Sequence, residues 1–165
     1  MKNFASILLV LGLSNPALAA VTASVDGGIA YVMGQEVSGG TRVVNDFTLN
    51  VGMQMKDALR FELGVMMQRE GSGSASRPSG VSGLRPGAKF FVFGGSLYGR
   101  ASLPIARGND GGLGGVGLMV GGGYELKLLG ILGGFAEGGI GYNAAFGGGS
   151  GDVPIEGRAG VVFKW

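Results

Sequence analysis

The stretch from Phe47 to Gln68, FTLNVGMQMKDALRFELGVMMQ, decides the fold. Every second residue is apolar: Phe47, Leu49, Val51, Met53 and Met55, then Leu59, Phe61, Leu63, Val65 and Met67. Between them stand Thr48, Asn50, Gly52 and Gln54, then Arg60, Glu62, Gly64, Met66 and Gln68. Successive side chains of a β-strand point to opposite faces, so a period of two gives one apolar and one largely polar face. Lys56-Asp57-Ala58 separates the two runs, which predicts an antiparallel hairpin with a short turn. Each arm has about 10 residues, the length with which a tilted strand crosses a hydrocarbon core.

The alternation continues in both directions. Upstream, Ala23, Val25, Gly27, Ile29, Tyr31 and Met33 share one face. Downstream, Ala88 to Phe93 is taken as a fourth strand, although its KFFVF run does not alternate. Leu97 to Ile105, Val116 to Lys127, Leu132 to Phe146 and Ile155 to Trp165 alternate again, which makes eight strands. Glu70 to Gly87, EGSGSASRPSGVSGLRPG, is expected to be the longest loop, because Gly, Ser and Pro favour turns and solvated segments. Joints near residues 57, 94 and 129 are short, and those near 37, 78, 109 and 149 are longer. An even number of strands with short turns at one end and long loops at the other is the plan of a transmembrane barrel.

The N-terminus is read separately. A positive Met1-Lys2 start, an apolar Phe4 to Leu13 and Ala17-Leu18-Ala19 have the pattern of a secretory signal cleaved after Ala19. Residues 1–19 are therefore expected to be a signal peptide and 20–165 the barrel domain. The apolar run is too short for a spanning helix, which needs about 20 residues. The sequence holds no Cys and no His, which leaves no disulfide, no thiolate ligand and no Ser-His or Cys-His pair. A formal charge of +2 argues against nucleic acid, which wants a strongly basic face. Glycine contributes 37 residues without a collagen period, and 45% hydrophobic content argues against disorder. Glycines within alternating strands suit a small, crowded, sharply bent barrel.

The register sorts the remaining side chains. Outward aromatics gather towards the strand ends, with Tyr31, Phe47, Tyr142 and Phe146 on the loop side and Phe61, Tyr124, Phe163 and Trp165 on the turn side. Two such girdles mark the two interfaces of a bilayer. Inward lie Asp26, Arg60, Glu62, Arg100, Glu125, Glu137, Glu156 and Arg158, with Tyr98 and Lys127. Acids and bases nearly balance, and a barrel of this size has room for little beyond side chains, so a cross-lumen ion-pair network is expected. Glu62, Arg100 and Glu125 are placed at one depth, and Glu137 near Arg158. The inward Gly117, Gly121, Gly123, Gly133, Gly139 and Gly141 are expected to leave one wall thin.

The last strand ends Val161-Val162-Phe163-Lys164-Trp165, a terminal aromatic with apolar residues two and four positions before it. This resembles the C-terminal signature by which outer-membrane assembly machinery recognises its barrels. With the signal peptide and eight strands, the chain is similar to the small outer-membrane β-barrel proteins of Gram-negative bacteria, of the outer membrane protein X, attachment-invasion and opacity types. The resemblance implies an all-β, eight-stranded antiparallel transmembrane barrel in the cell outer membrane. It also implies contact with outer-membrane lipid and lipopolysaccharide, and passage through the assembly machinery. A monomer is expected. With the chain ending at Trp165, no peptidoglycan-binding domain of the outer membrane protein A type is expected.

Other motifs are weighed against this frame. Gly112-Leu113-Gly114-Gly115-Val116-Gly117 has the G-x-G-x-x-G spacing, but that motif binds dinucleotides only between a parallel strand and a helix. Gly117 and Gly121 have helix-packing spacing, but the run carries a period of two and is cut short by Glu125 and Lys127. Glu125 and Glu137 could serve as acid and base, yet carboxylates paired with Arg fit the lumen better. No enzymatic activity, cofactor or metal is expected. Arg69, Glu70, Arg77 and Arg85 are placed in the long loop, where they could meet phosphates or a host glycan, or simply keep the loop soluble. Two roles stay open: a structural or surface-interaction protein acting in envelope integrity, adhesion or immune evasion, and a narrow channel or carrier for small hydrophobic molecules.

Overall fold

The computed structural model describes residues 18–34, 42–55, 58–70, 81–92, 95–107, 112–146 and 151–165. Its strands are β1 (Leu18–Gly34), β2 (Arg42–Met55), β3 (Leu59–Glu70), β4 (Val81–Phe91), β5 (Leu97–Ser102), β6 (Ile105–Arg107), β7 (Leu113–Leu129), β8 (Leu132–Ala145) and β9 (Asp152–Lys164). Every pairing is antiparallel. Neighbours run β3-β2-β1-β9-β8-β7, then β5 with β6, then β4, which pairs back to β3. The sheet closes on itself. Because β5 and β6 both lie between β4 and β7, they are two parts of one stave, and the barrel has eight.

The stagger can be read from the register. From Val21 the partners run through Met53, Phe61, Ala88, Ala101, Val120, Ile140 and Ile155 to Tyr31. One circuit of the wall thus returns to β1 ten residues further on, from Val21 to Tyr31. With staves about 4.8 Å apart and about 3.3 Å per residue, this shear tilts the strands by about 40°.

Burial is inverted relative to a water-soluble barrel. Leu49, Val51, Leu63, Leu118 and Val120 are exposed on the outer wall, whereas Arg60 is 0% exposed and Asp26 5%. All eight girdle aromatics lie on the outer face: Tyr31, Phe47, Phe61, Tyr124, Tyr142, Phe146, Phe163 and Trp165. Phe90 joins them on the turn side.

Three expectations need correction. Strand four begins at Val81 rather than Ala88, since Val81 to Gly87 pairs with Met67 to Glu62 despite its loop-like composition. Arg69 and Glu70 belong to the end of β3 and pair with Asn45 and Val44. Strand five is interrupted at Leu103-Pro104, because proline fixes φ and has no N–H to give the ladder. The irregular KFFVF run is explained by its two environments: Phe90 faces outward, and Phe91 is buried in the lumen beneath Arg60. The Gly112–Gly117 motif opens β7 and no helix, and Gly117 and Gly121 lie within the same strand. Of the expected signal segment 1–19, residues 1–17 lie outside the described residues, and Leu18 and Ala19 belong to β1. Arg77 and the joints near 37, 78, 109 and 149 also lie outside them.

Candidate functional site

The inward faces meet in a lumen of alternating charge. At the turn end, the guanidinium of Arg60 donates to both carboxylate oxygens of Glu125, at 2.8 and 3.0 Å. It also donates to Gln54 at 2.9 Å and lies 4.8 Å above the Phe91 ring. Lys164 approaches Glu125 from β9, and Glu62 lies 3.5 Å from Arg60. Further in, the Lys89 ammonium sits between Glu62 at 3.4 Å and Glu137 at 3.2 Å. The rings of Phe135 and Tyr98 flank it at 4.3 and 4.9 Å, where their electron-rich faces favour a cation. The Tyr98 hydroxyl donates to Glu137 at 2.8 Å.

Towards the loops, Arg100 bonds Glu137 and approaches Glu156 at 3.3 Å. Arg85 bonds Glu156 and Ser102, and lies 3.8 Å from Asp46. Arg158 bonds Asp46, Asp26 and Thr48, and Asn50 caps Asp26 at 2.8 Å. Followed from the turn end, the ion pairs form one unbroken series. It runs Lys164, Glu125, Arg60, Glu62, Lys89, Glu137, Arg100, Glu156, Arg85, Asp46, Arg158, Asp26. The sign alternates at every step. Such a series satisfies buried charges that would otherwise be costly to desolvate.

All eight residues expected in the network are in the series: Asp26, Arg60, Glu62, Arg100, Glu125, Glu137, Glu156 and Arg158. Sequence reasoning left Asp46, Arg85, Lys89 and Lys164 out of the network. Asp46 and Lys164 follow the inward parity of their strands, so the signal was present. Arg85 was assigned to a loop, and instead lies buried in the lumen on β4. Arg100, placed at one depth with Glu62 and Glu125, pairs with Glu137 and Glu156. Lys89 and Arg60 take Glu62 and Glu125 first. Glu137 does stand directly opposite Arg158 in the register, 3.8 Å away. Lys127 has inward parity but is exposed at the turn end.

The inward glycines do not leave a thin wall. Four of the six seat side chains from neighbouring staves, and Gly121 and Gly139 face each other's backbone. A Cβ on Gly123 would lie 2.6 Å from the Tyr98 hydroxyl and from the Ala136 carbonyl. One on Gly141 would meet Met119, on Gly117 Asn143 and Pro104, and on Gly133 Val162. Around Gly121 and Gly139 a gap of about 10 Å³ opens, lined also by Arg100, Glu156 and Met119. That is room for about one water, in charged surroundings. Among the described residues, no three carboxylates or other ligand groups converge to hold a metal.

No family model and no curated protein matches the chain. Among solved structures, Neisserial surface protein A (NspA) is similar, with a TM-score of 0.52 over 88% of this chain and 97% of that one. Identity is 20%, so the likeness speaks for the fold: a closed eight-stranded antiparallel barrel resembling outer-membrane barrels. A de novo designed transmembrane β-barrel also matches, at 13% identity and a TM-score of 0.44 over 92% of this chain and 98% of that one.

Proposed function

We propose that the chain is an integral barrel of a Gram-negative outer membrane, closed to passive flow, and that it acts through its surface loops in envelope support or interaction. The observation that carries this reading is the lumen. A passage for ions would need a water-filled path or a ring of one sign, and here acids and bases neutralise each other along the whole axis. A carrier for hydrophobic molecules would need an apolar cavity, and the gap beside Gly121 holds about one water between Arg100 and Glu156. Glu125 and Glu137, which acid–base chemistry would need free, are engaged by Arg60 and Lys164 and by Arg100, Lys89 and Tyr98. The barrel therefore acts without catalysis and without a cofactor. Its partners are outer-membrane lipid and lipopolysaccharide, the assembly machinery at the C-terminal strand, and a host or cell-surface ligand at the loops. The barrel works as a monomer.

The test is to replace residues 71–80 with a two-residue turn. The replacement stops before Val81, because β4 starts there. Loop length changes closure entropy only slowly, so the barrel is expected to refold in detergent with its β-sheet circular dichroism intact. Binding to host cells or serum factors is expected to fall. Full binding by the shortened protein would contradict a role for this loop.

A further inference from the structure

We infer that the tip of the β7–β8 hairpin is a membrane anchor seated in the headgroup layer at the turn end of the barrel. Leu128, Leu129 and Ile131 enter the lipid, and Lys127 meets the lipid phosphates. The inference deepens the membrane reading above and rests on it.

A short turn facing water is ordinarily built from Gly, Asn, Asp, Ser or Pro. Here the chain reads Leu128-Leu129-Gly130-Ile131-Leu132. Gly130, at φ +50°, supplies the left-handed residue that lets the chain reverse without a polar side chain. Leu129 is 77% exposed, the highest value of any large apolar residue described, and Leu128 and Ile131 are 53% and 58% exposed. The sequence that joins β2 to β3 at the same end of the barrel is Lys56-Asp57-Ala58 instead.

Two observations identify lipid as the occupant. The first is continuity: Leu126 and Leu128 extend the outward row of Leu118, Val120 and Tyr124 past the girdle, with no polar residue between on that face. The Ile131 carbonyl also accepts the Lys164 N–H at 2.9 Å, which sets the tip beside Trp165. Tryptophan rings collect at the headgroup level of a bilayer, so the tip lies at that level too. The second is charge. Lys127 is exposed and has no ion pair among the described residues, whereas the lumen cations Arg60, Arg85, Lys89, Arg100 and Arg158 are all paired. An apolar tip with an exposed cation beside it, at the rim of the barrel, matches the interface, where an ammonium meets phosphate.

Single tryptophans test this. Trp165 is the only tryptophan, so Trp165→Phe gives a silent parent. Leu129→Trp, Ile131→Trp and, as a mid-wall control, Leu49→Trp are refolded into phosphatidylcholine vesicles whose chains are brominated near the headgroup or near the chain end. Leu129→Trp and Ile131→Trp are expected to emit to the blue, to resist aqueous acrylamide, and to be quenched at least twofold more by shallow than by deep bromines. Leu49→Trp should be quenched best by deep bromines. If acrylamide reaches both tip probes while Leu49→Trp stays in lipid, the anchor is refuted and the tip faces water or a soluble partner. If Leu49→Trp also escapes the bromines, the membrane reading itself fails. Adding Lys127→Glu to Leu129→Trp should shift emission to the red in phosphatidylglycerol vesicles. An unchanged spectrum would refute the part given to Lys127.

Discussion

Arg60 and Glu125 meet across 65 residues of chain, with both carboxylate oxygens bonded and no part of the Arg60 side chain exposed. Removing Arg60 leaves Glu125 to Lys164 alone, and removing Glu125 leaves Arg60 to the more distant Glu62, so the cost should approach the ~3–5 kcal/mol of a broken buried pair. Arg60→Met and Glu125→Gln should each lower unfolding stability in urea on that scale. The double variant should cost less than the sum, with a coupling of about 0.5–3 kcal/mol. Additive losses would mean that the pair does not act as a pair.

The outer wall should show its own depth dependence. Leu49 lies on the outer face in the middle of β2, and Met55 on the same face at its end. Leu49→Arg should cost about 2–4 kcal/mol in a bilayer, and Met55→Arg about 0–1 kcal/mol. Equal costs at the two positions would contradict a membrane-spanning wall.

Much of this fold was legible in the sequence because a closed barrel with a charged interior forces strict alternation. In β2, β3 and β9 each residue's parity gave its face. Where alternation failed, reading failed as well. Phe90 and Phe91 are adjacent aromatics on opposite faces, and the inward one is held by partners on other staves, Arg60, Tyr98 and Lys164. Arg85 was hidden for a different reason. Gly83, Pro86 and Gly87 give its neighbourhood the composition of a loop, while pairing with β3 makes it a strand. Pairing between distant strands is a tertiary fact that local composition does not carry. The partners of Arg100 were not legible either, because Lys89, on the stave between, engages both Glu62 and Glu137 and had no place in the expected network.

The glycines divide into two kinds. A methyl group on Gly123 would press on the Ala136 carbonyl and on Tyr98, whereas Gly157 has nothing within 4 Å of the same position. Gly123→Ala should therefore destabilise the barrel by about 1–3 kcal/mol, in line with other overpacked interiors. Gly157→Ala should be neutral within about 0.5 kcal/mol. Thermal unfolding in detergent micelles would separate the two, and equal effects would contradict the seating of Tyr98.

Closure of the barrel depends on the chain end. The Val21 N–H donates to the Trp165 carbonyl at 2.9 Å, the Trp165 N–H returns a bond at 3.1 Å, and Lys164 holds Glu125. Deleting Phe163 to Trp165 opens an unpaired edge on β1 and removes that cation. The truncated protein should be nearly absent from fractionated outer membranes. Normal levels there would contradict a closing role for β9.

The sealed lumen is tested most directly by single-channel recording of the refolded protein in planar bilayers. With charges paired from Lys164 to Asp26, the unmodified protein should show no stable open level. Arg100→Ala, which removes a cation shared by Glu137 and Glu156, should show brief small openings at most. A large, stable conductance in the unmodified protein would contradict the account.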